Sequence, residues 1–244
     1  GFVHRNHITM GTAMTVRHDF RGRFTLIEML VVVTIIVILA ALLLPATVTA
    51  ADINRELMDA AVVGDFEQAQ SLLTQGASPD AAGKFGKSAL MFAVEEGNTD
   101  IVQLLLGRGA KVNARSVAGC TALTYAAENG YSDLIDLLIN SGAKTYPKTR
   151  AGWDALGIAT RQGYLDALTA LIRHGANVNT SDKDGITALM AAATRNQTQV
   201  LRLLLKSDAD LHVRNKDGAS ALMLAACKGH NPIIDILIQA GGNP

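Results

Sequence analysis

Few residues in this chain could hold a metal or carry nucleophilic catalysis. The histidines are His4, His7, His18, His174, His212 and His230, and the cysteines are Cys120 and Cys227. Beyond residue 50, no two histidines stand at metal-ligand spacing from each other. There is no G-x-x-x-x-G-K-[ST] or G-x-G-x-x-G to cradle a phosphate, no H-E-x-x-H and no G-x-S-x-G. His174 precedes Gly175, where a cationic side chain suits a helix C-terminus, and His230 opens a helix. Glu95 and Glu96 are adjacent, so on a helix they share no face and read as a solvated end rather than a carboxylate pair. Two cysteines make no disulfide framework and are expected as small packed thiols. The expectation is a protein that is not an enzyme, with no metal and no cofactor.

The chemistry that remains is recognition. Aromatic and arginine side chains dominate the energetics of protein interfaces. On that ground Phe85, Lys87, Arg150, Trp153, Arg161, Ile186, Arg195 and Lys228 are expected to meet a partner. Trp153 is the only tryptophan, and truncating a hot spot of that kind costs about 2 kcal/mol or more in affinity. The competing reading is that either ring, Phe85 or Trp153, folds back onto the next hairpin as satellite core.

Composition narrows the partner. The 22 basic and 22 acidic residues cancel. Arg5, Arg17, Arg21 and Arg23 against Asp19 and Glu28 fall in the first fifty residues, which leaves the rest slightly acidic. Nucleic-acid affinity rests on neutralising phosphates, and 5% aromatic residues supply few stacking platforms. No nucleic acid and no small-molecule substrate is expected. The 49% apolar fraction is ample for a core.

The elements that position these residues repeat. Gly86, Gly119, Gly152, Gly185 and Gly218 recur every 33 residues. Each is followed by an Ala-Leu pair ("KSAL", "CTAL", "WDAL", "ITAL", "ASAL") and then by Ala93, Ala126, Ala159, Ala192 or Ala225. "TALTYAAENG" reads as a short helix ended by Gly130. "YSDLIDLLIN" reads as a second helix with its apolar stripe on Leu134, Ile135, Leu137 and Leu138. About ten polar residues then form an extended, turn-like excursion. Helices this short are marginal alone, so each unit must stack on copies of itself as a solenoid. The unit resembles the ankyrin repeat. The resemblance implies that the hairpin tips and first-helix ends form a concave binding face. Pro and His of the family's Thr-Pro-Leu-His motif are absent throughout. In the third unit Asp154 replaces the usual hydroxyl, Tyr146-Pro147 alters the preceding hairpin and Gly157 sits inside a helix. Such a glycine costs about 0.5–1 kcal/mol relative to Ala, so residues 145–165 are expected to be the softest part.

In front lies an apolar segment. Residues 24–44, about 32 Å as a helix, are long enough to cross a hydrocarbon core of about 30 Å. Arg17, Arg21 and Arg23 precede it and no Lys or Arg follows until Arg55, which holds the N-terminus in the cytoplasm. As a secretory signal it would be cut after "VTA", before Ala51; otherwise it stays as an anchor. "FTLIEMLVVVTIIVILAALLLP" resembles the N-terminus of type IV pilins and pseudopilins, with Glu28 and Pro45 in matching places. Arg23 stands where that family has the cleavage-site Gly.

The sequence thus predicts an all-α ankyrin-repeat solenoid preceded by one hydrophobic helix. A basic leader occupies 1–23, a signal or anchor helix 24–50, and the repeat domain 51–244. The domain divides into a partial unit 52–82 and units 83–115, 116–148, 149–181, 182–214 and 215–244. The expected function is a protein-interaction module exported across the cytoplasmic membrane of a bacterium to the periplasm or cell envelope. The alternative is a membrane-anchored, pilin-like adaptor that keeps residues 24–44 in the bilayer.

Overall fold

The computed structural model describes residues 30, 31, 33–35 and 49–242. The chain divides into two units, Gly1–Thr47 and Val48–Pro244. In the first, the described residues are helical and exposed. Among the described residues no helix is long and apolar enough to cross a membrane. The expected leader, and the signal or anchor helix with Glu28 and Pro45, lie outside the described residues apart from those few.

The second unit is a row of helix pairs. They are α1 (Ala50–Val63) with α2 (Phe66–Thr74), α3 (Ala89–Glu95) with α4 (Thr99–Gly107), and α5 (Ala122–Asn129) with α6 (Ser132–Asn140). Then come α7 (Ala155–Gln162) with α8 (Leu165–Arg173), α9 (Ala188–Thr194) with α10 (Thr198–Lys206), and α11 (Ala221–Lys228) with α12 (Asn231–Gln239). Odd-numbered helices pack side by side in one layer and even-numbered helices form a second, more loosely spaced one. Among the described residues there is no strand; antiparallel bridges Ala82–Ser88 and Ser181–Thr187 are isolated. The expected partial first unit is a full helix pair, and α1 begins at Ala50, inside the segment assigned above to the signal or anchor helix.

Local chemistry sets each boundary. Ser88, Thr121, Asp154, Thr187 and Ser220 stand at the N-caps of α3, α5, α7, α9 and α11. Each side chain accepts from the backbone N–H three residues on, at 3.3 Å for the hydroxyls and 2.9 Å for Asp154. Gly130, Gly163 and Gly229 end α5, α7 and α11 in the left-handed region. At the hairpin tips Gly86, Gly119, Gly152, Gly185 and Gly218 have φ between 70° and 93°, which explains the period in the sequence. Leu90, Leu123, Leu156 and Leu189 recur in register and are each 1% exposed. Burying one such side chain stabilises by about 1.5–3 kcal/mol. The alanines between them, Ala93, Ala126, Ala159 and Ala192, are 0% exposed and let successive first helices approach closely.

Candidate functional site

Neighbouring units are joined at the tips by backbone hydrogen bonds. Val117 N–H donates to Phe85 O at 2.7 Å, Arg150 N–H to Ala118 O at 2.8 Å and Lys216 N–H to Asp184 O at 3.0 Å. The corresponding Lys183 N–H to Ala151 O bond is absent among the described residues. A second set of ties uses amides. Asn113 accepts from Lys144 N–H at 2.9 Å and donates to Gly142 O at 2.9 Å. Asn179 does the same with Asp210 N–H and Asp208 O at 2.8 and 3.2 Å. Tyr146 holds the equivalent place and is exposed. The third unit therefore lacks one tie on each side.

Its interior is built differently too. Trp153 stands where other units have Lys87, Cys120, Ile186 and Ala219, and Gly157 where they have Met91, Thr124, Met190 and Met223. Trp153 is 7% exposed. Its ring lies against Gly157 so closely that a Cβ there would sit 2.3 Å from Cε3. The ring thus folds onto its own first helix. Asp154 is buried, and its other oxygen accepts from the Thr180 hydroxyl at 2.6 Å.

Above that ring lies the candidate site. The Arg161 guanidinium carbon is 5.3 Å from the Trp153 ring centroid, within cation–π range. Arg150, Trp153, Arg161 and Arg195 line one groove of about 470 Å³, together with Glu128 and Ile158. Trp153, Arg161 and Arg195 also line a second of about 610 Å³, with Ile186, Lys183 and Leu224. Among the described residues no carboxylate comes within ion-pair distance of Arg150, Arg161 or Arg195; the ion pairs lie elsewhere, at Arg55, Lys87, Lys111, Arg173 and His174.

The sequence model for ankyrin repeats, in three copies, matches residues 57–149 and 156–244. The chain belongs to the ankyrin-repeat family. A search of the curated proteins finds no match. The two stretches matched by the ankyrin model flank residues 150–155, where this array carries Trp153 and the Asp154 cap. Ankyrin repeats typically bind other proteins.

Of the expected binding residues, Arg150, Trp153, Arg161, Ile186 and Arg195 come together around the two grooves. Phe85 and Lys228 are exposed but line neither. Phe85 has φ 69°, with Lys84 Nζ 5.2 Å from its ring centroid. Lys87 is turned inward: its ammonium pairs with Glu95 and lies 4.4 and 4.6 Å from the ring centroids of Phe92 and Tyr125. It is committed to the scaffold because those partners stand within reach in its own and the next unit. Burial foremost, then charge at Cys120 and Glu95, raises the Tyr125 hydroxyl above the usual phenol value.

His174 stands at the helix end, as expected, and gains a partner there. It occupies the C-cap of α8; its ring Nε2 lies 2.8 Å from Asp136 Oδ1, and Arg173 donates to the same oxygen at 2.6 Å. The Arg173 guanidinium first, and His174 after it, hold the Asp136 carboxyl below the usual carboxylate range. His230 Nδ1 lies 2.9 Å from Ala193 O and ties two units together. Among the described residues no cluster of His, Cys, Asp and Glu could hold a metal ion. Sequence reasoning missed Gly157 as the seat of Trp153; the large-for-small exchange at positions 153 and 157 was the available signal.

Proposed function

We propose that this ankyrin array is a non-enzymatic scaffold that binds another protein through the grooves at the third and fourth hairpin tips and the ends of α5, α7 and α9. The observation that carries this reading is Arg161 stacked on Trp153 where the two grooves adjoin, with Arg150 and Arg195 beside it. Arginine and aromatic anchors of this type supply most of the energy at protein interfaces. A preformed helical stack orders little on binding and so loses little affinity to conformational entropy. A photo-crosslinking residue in place of exposed Ala151 is expected to capture a protein partner from cells, whereas one in place of exposed Arg202 on α10 is not. Capture at 202 alone would overturn the reading.

Export to the periplasm or cell envelope is part of the proposal and rests on the sequence of residues 17–50. The alternative, an adaptor anchored by a pilin-like segment, has one observation in its favour. Thr49 caps α1: it accepts from Asp52 N–H at 3.2 Å, and its own N–H donates to Asp52 at 3.2 Å. A cut before Ala51 removes that capping box, worth about 0.5–2 kcal/mol, whereas an uncut chain or one starting at Phe24 keeps it. Mass spectrometry of the native N-terminus separates the readings: Ala51 supports secretion, and Phe24 or an intact leader supports the anchor.

A further inference from the structure

The row of first-helix ends changes sign along the stack. At one register position the residues are Glu95, Glu128, Arg161, Thr194 and Cys227, and at the next they are Glu96, Asn129, Gln162, Arg195 and Lys228. Glu95 is neutralised by Lys87, but Glu96 and Glu128 are exposed and form no ion pair among the described residues, and the same holds for Arg161, Arg195 and Lys228. The row of helix ends therefore runs from an acidic end at α3 and α5, through the two grooves, to a basic end at α7, α9 and α11.

The basic end is also prepared for a particular group. The Arg161 guanidinium carbon lies 5.3 Å from the centroid of a ring that is itself wedged over Gly157, so a fixed aromatic surface keeps its planar fork of donors beside the groove. That geometry matches a carboxylate, which a guanidinium can grip through two parallel hydrogen bonds. Trp153, Ile158, Ile186 and Leu224 give the same grooves an apolar floor. Glu128 beside Arg150, and Asp182 and Asp184 beside Lys183, set a limit on how much negative charge the site accepts. A continuous polyanion would meet those carboxylates and then Glu96.

Resting on the protein-binding reading above, we infer that the occupant is a charge-polarised peptide segment of a partner protein. Its Glu or Asp side chains, interleaved with apolar ones, lie over Arg150, Arg161 and Arg195, and its basic end lies over Glu128 and Glu96. The sign change fixes the direction in which the segment docks.

Because Trp153 is the only tryptophan, its fluorescence reports on this site alone. The test titrates the full chain with a synthetic peptide of alternating Glu and Leu followed by a Lys block. Its charge-swapped counterpart, polyglutamate and a single-stranded oligonucleotide serve as comparison probes. The polarised peptide is expected to perturb Trp153 emission and to bind more weakly as salt is raised. The double variant R161E/R195E is expected to weaken it about tenfold or more and to favour the charge-swapped peptide instead. Both arginines are exposed, so the fold is retained; R161Q/R195Q, which adds no repulsion, is expected to weaken binding without the swap. No Trp153 response to the polarised peptide would overturn the inference, as would equal binding of polyglutamate or the oligonucleotide, or indifference to R161E/R195E. A partner captured through position 151 that lacks such a segment defeats this inference alone. Capture only through position 202 defeats the protein-binding reading on which it rests.

Discussion

The third and fourth units fill the same space in opposite ways. In residues 182–214 the hairpin contributes Ile186 and the helix Met190, and Met190 is 1% exposed. In residues 149–181 the hairpin contributes Trp153 and the helix only Gly157. The bulk comes from the hairpin in one unit and is shared between hairpin and helix in the other. The exchange leaves an aromatic plate at the groove surface for Arg161 to lie on, where the fourth unit has an aliphatic chain. A helix-interior glycine that reads as a defect in one dimension is a seat for a ring in three.

Substitutions at these positions test that account most directly. Trp153→Ala is expected to cost about 3–5 kcal/mol, as large truncations in packed sites do. Gly157→Met alone drives a side chain into the ring and is expected to lose about 1–3 kcal/mol. The double variant W153I/G157M imports the fourth unit's solution and is expected to recover most of both losses. Denaturant unfolding of the parent chain, W153I, G157M and W153I/G157M forms the cycle, and simple additivity of the single effects would break the comparison.

Gly157→Ala is the finer probe. Helix propensity alone predicts a gain of about 0.5–1 kcal/mol. A Cβ 2.3 Å from Trp153 Cε3 must shift the ring, and overpacking costs more than the propensity returns. A lower melting temperature is expected; a higher one would show that the seat is loose.

The missing ties come next. Tyr146→Asn places an amide where Asn113 and Asn179 bridge their neighbours, within reach of Gly175 O and Asn177 N–H. Two new bonds at about 0.5–1.5 kcal/mol each are expected to slow amide exchange in residues 145–165. In the parent chain those amides are expected to exchange fastest of the third and fourth units, and finding them the most protected would defeat that view.

A smaller gain is expected at Thr160, which is 0% exposed and whose hydroxyl has no hydrogen-bond partner. The first full unit has Val94 in that position. Thr160→Val removes an unsatisfied buried group and is expected to raise stability by about 1 kcal/mol; a lower melting temperature would mean that the hydroxyl is satisfied in solution.

The smallest effect is electrostatic. The folded-state pKa of Asp136 lies below its unfolded value of about 3.9. Its contribution is therefore present above that pH and is lost as pH falls through the lower folded value. Asp136→Asn is expected to flatten this acid limb of the stability curve and to lower neutral-pH stability by the same amount, a small one because the pair is partly exposed.

Much of the fold could be read without coordinates because it depends on short-range rules. "TALTYAAENG" is a helix from Ala122 to Asn129, capped by Thr121 and ended by Gly130, and a hydroxyl before or a glycine after a helix acts within a few residues. His174 stands at the C-cap of α8 as the same kind of rule predicts, but its contact with Asp136 on a different helix lay beyond that rule. Lys87 is engaged by Glu95 and Phe92 of its own unit and by Tyr125 of the next, contacts that form only when the hairpin folds over the first helices. The division at residue 50 fell one residue inside α1 because small residues for cleavage and a good N-cap share the stretch Val48 to Ala51.

The sequence by itself determined the period, the places where helices start and stop, and the need of each helix pair for a neighbour, because backbone geometry and apolar spacing are encoded over a few turns. Only the tertiary structure decided that Trp153 lies on Gly157, that Lys87 is engaged while Arg161 is stacked and without an ion pair, and that Glu128 faces the same groove as Arg195. Those outcomes depend on side-chain directions across a 33-residue repeat. Folding the hairpin over its own first helix sets the first three, and stacking of units brings Glu128 and Arg195 to one groove.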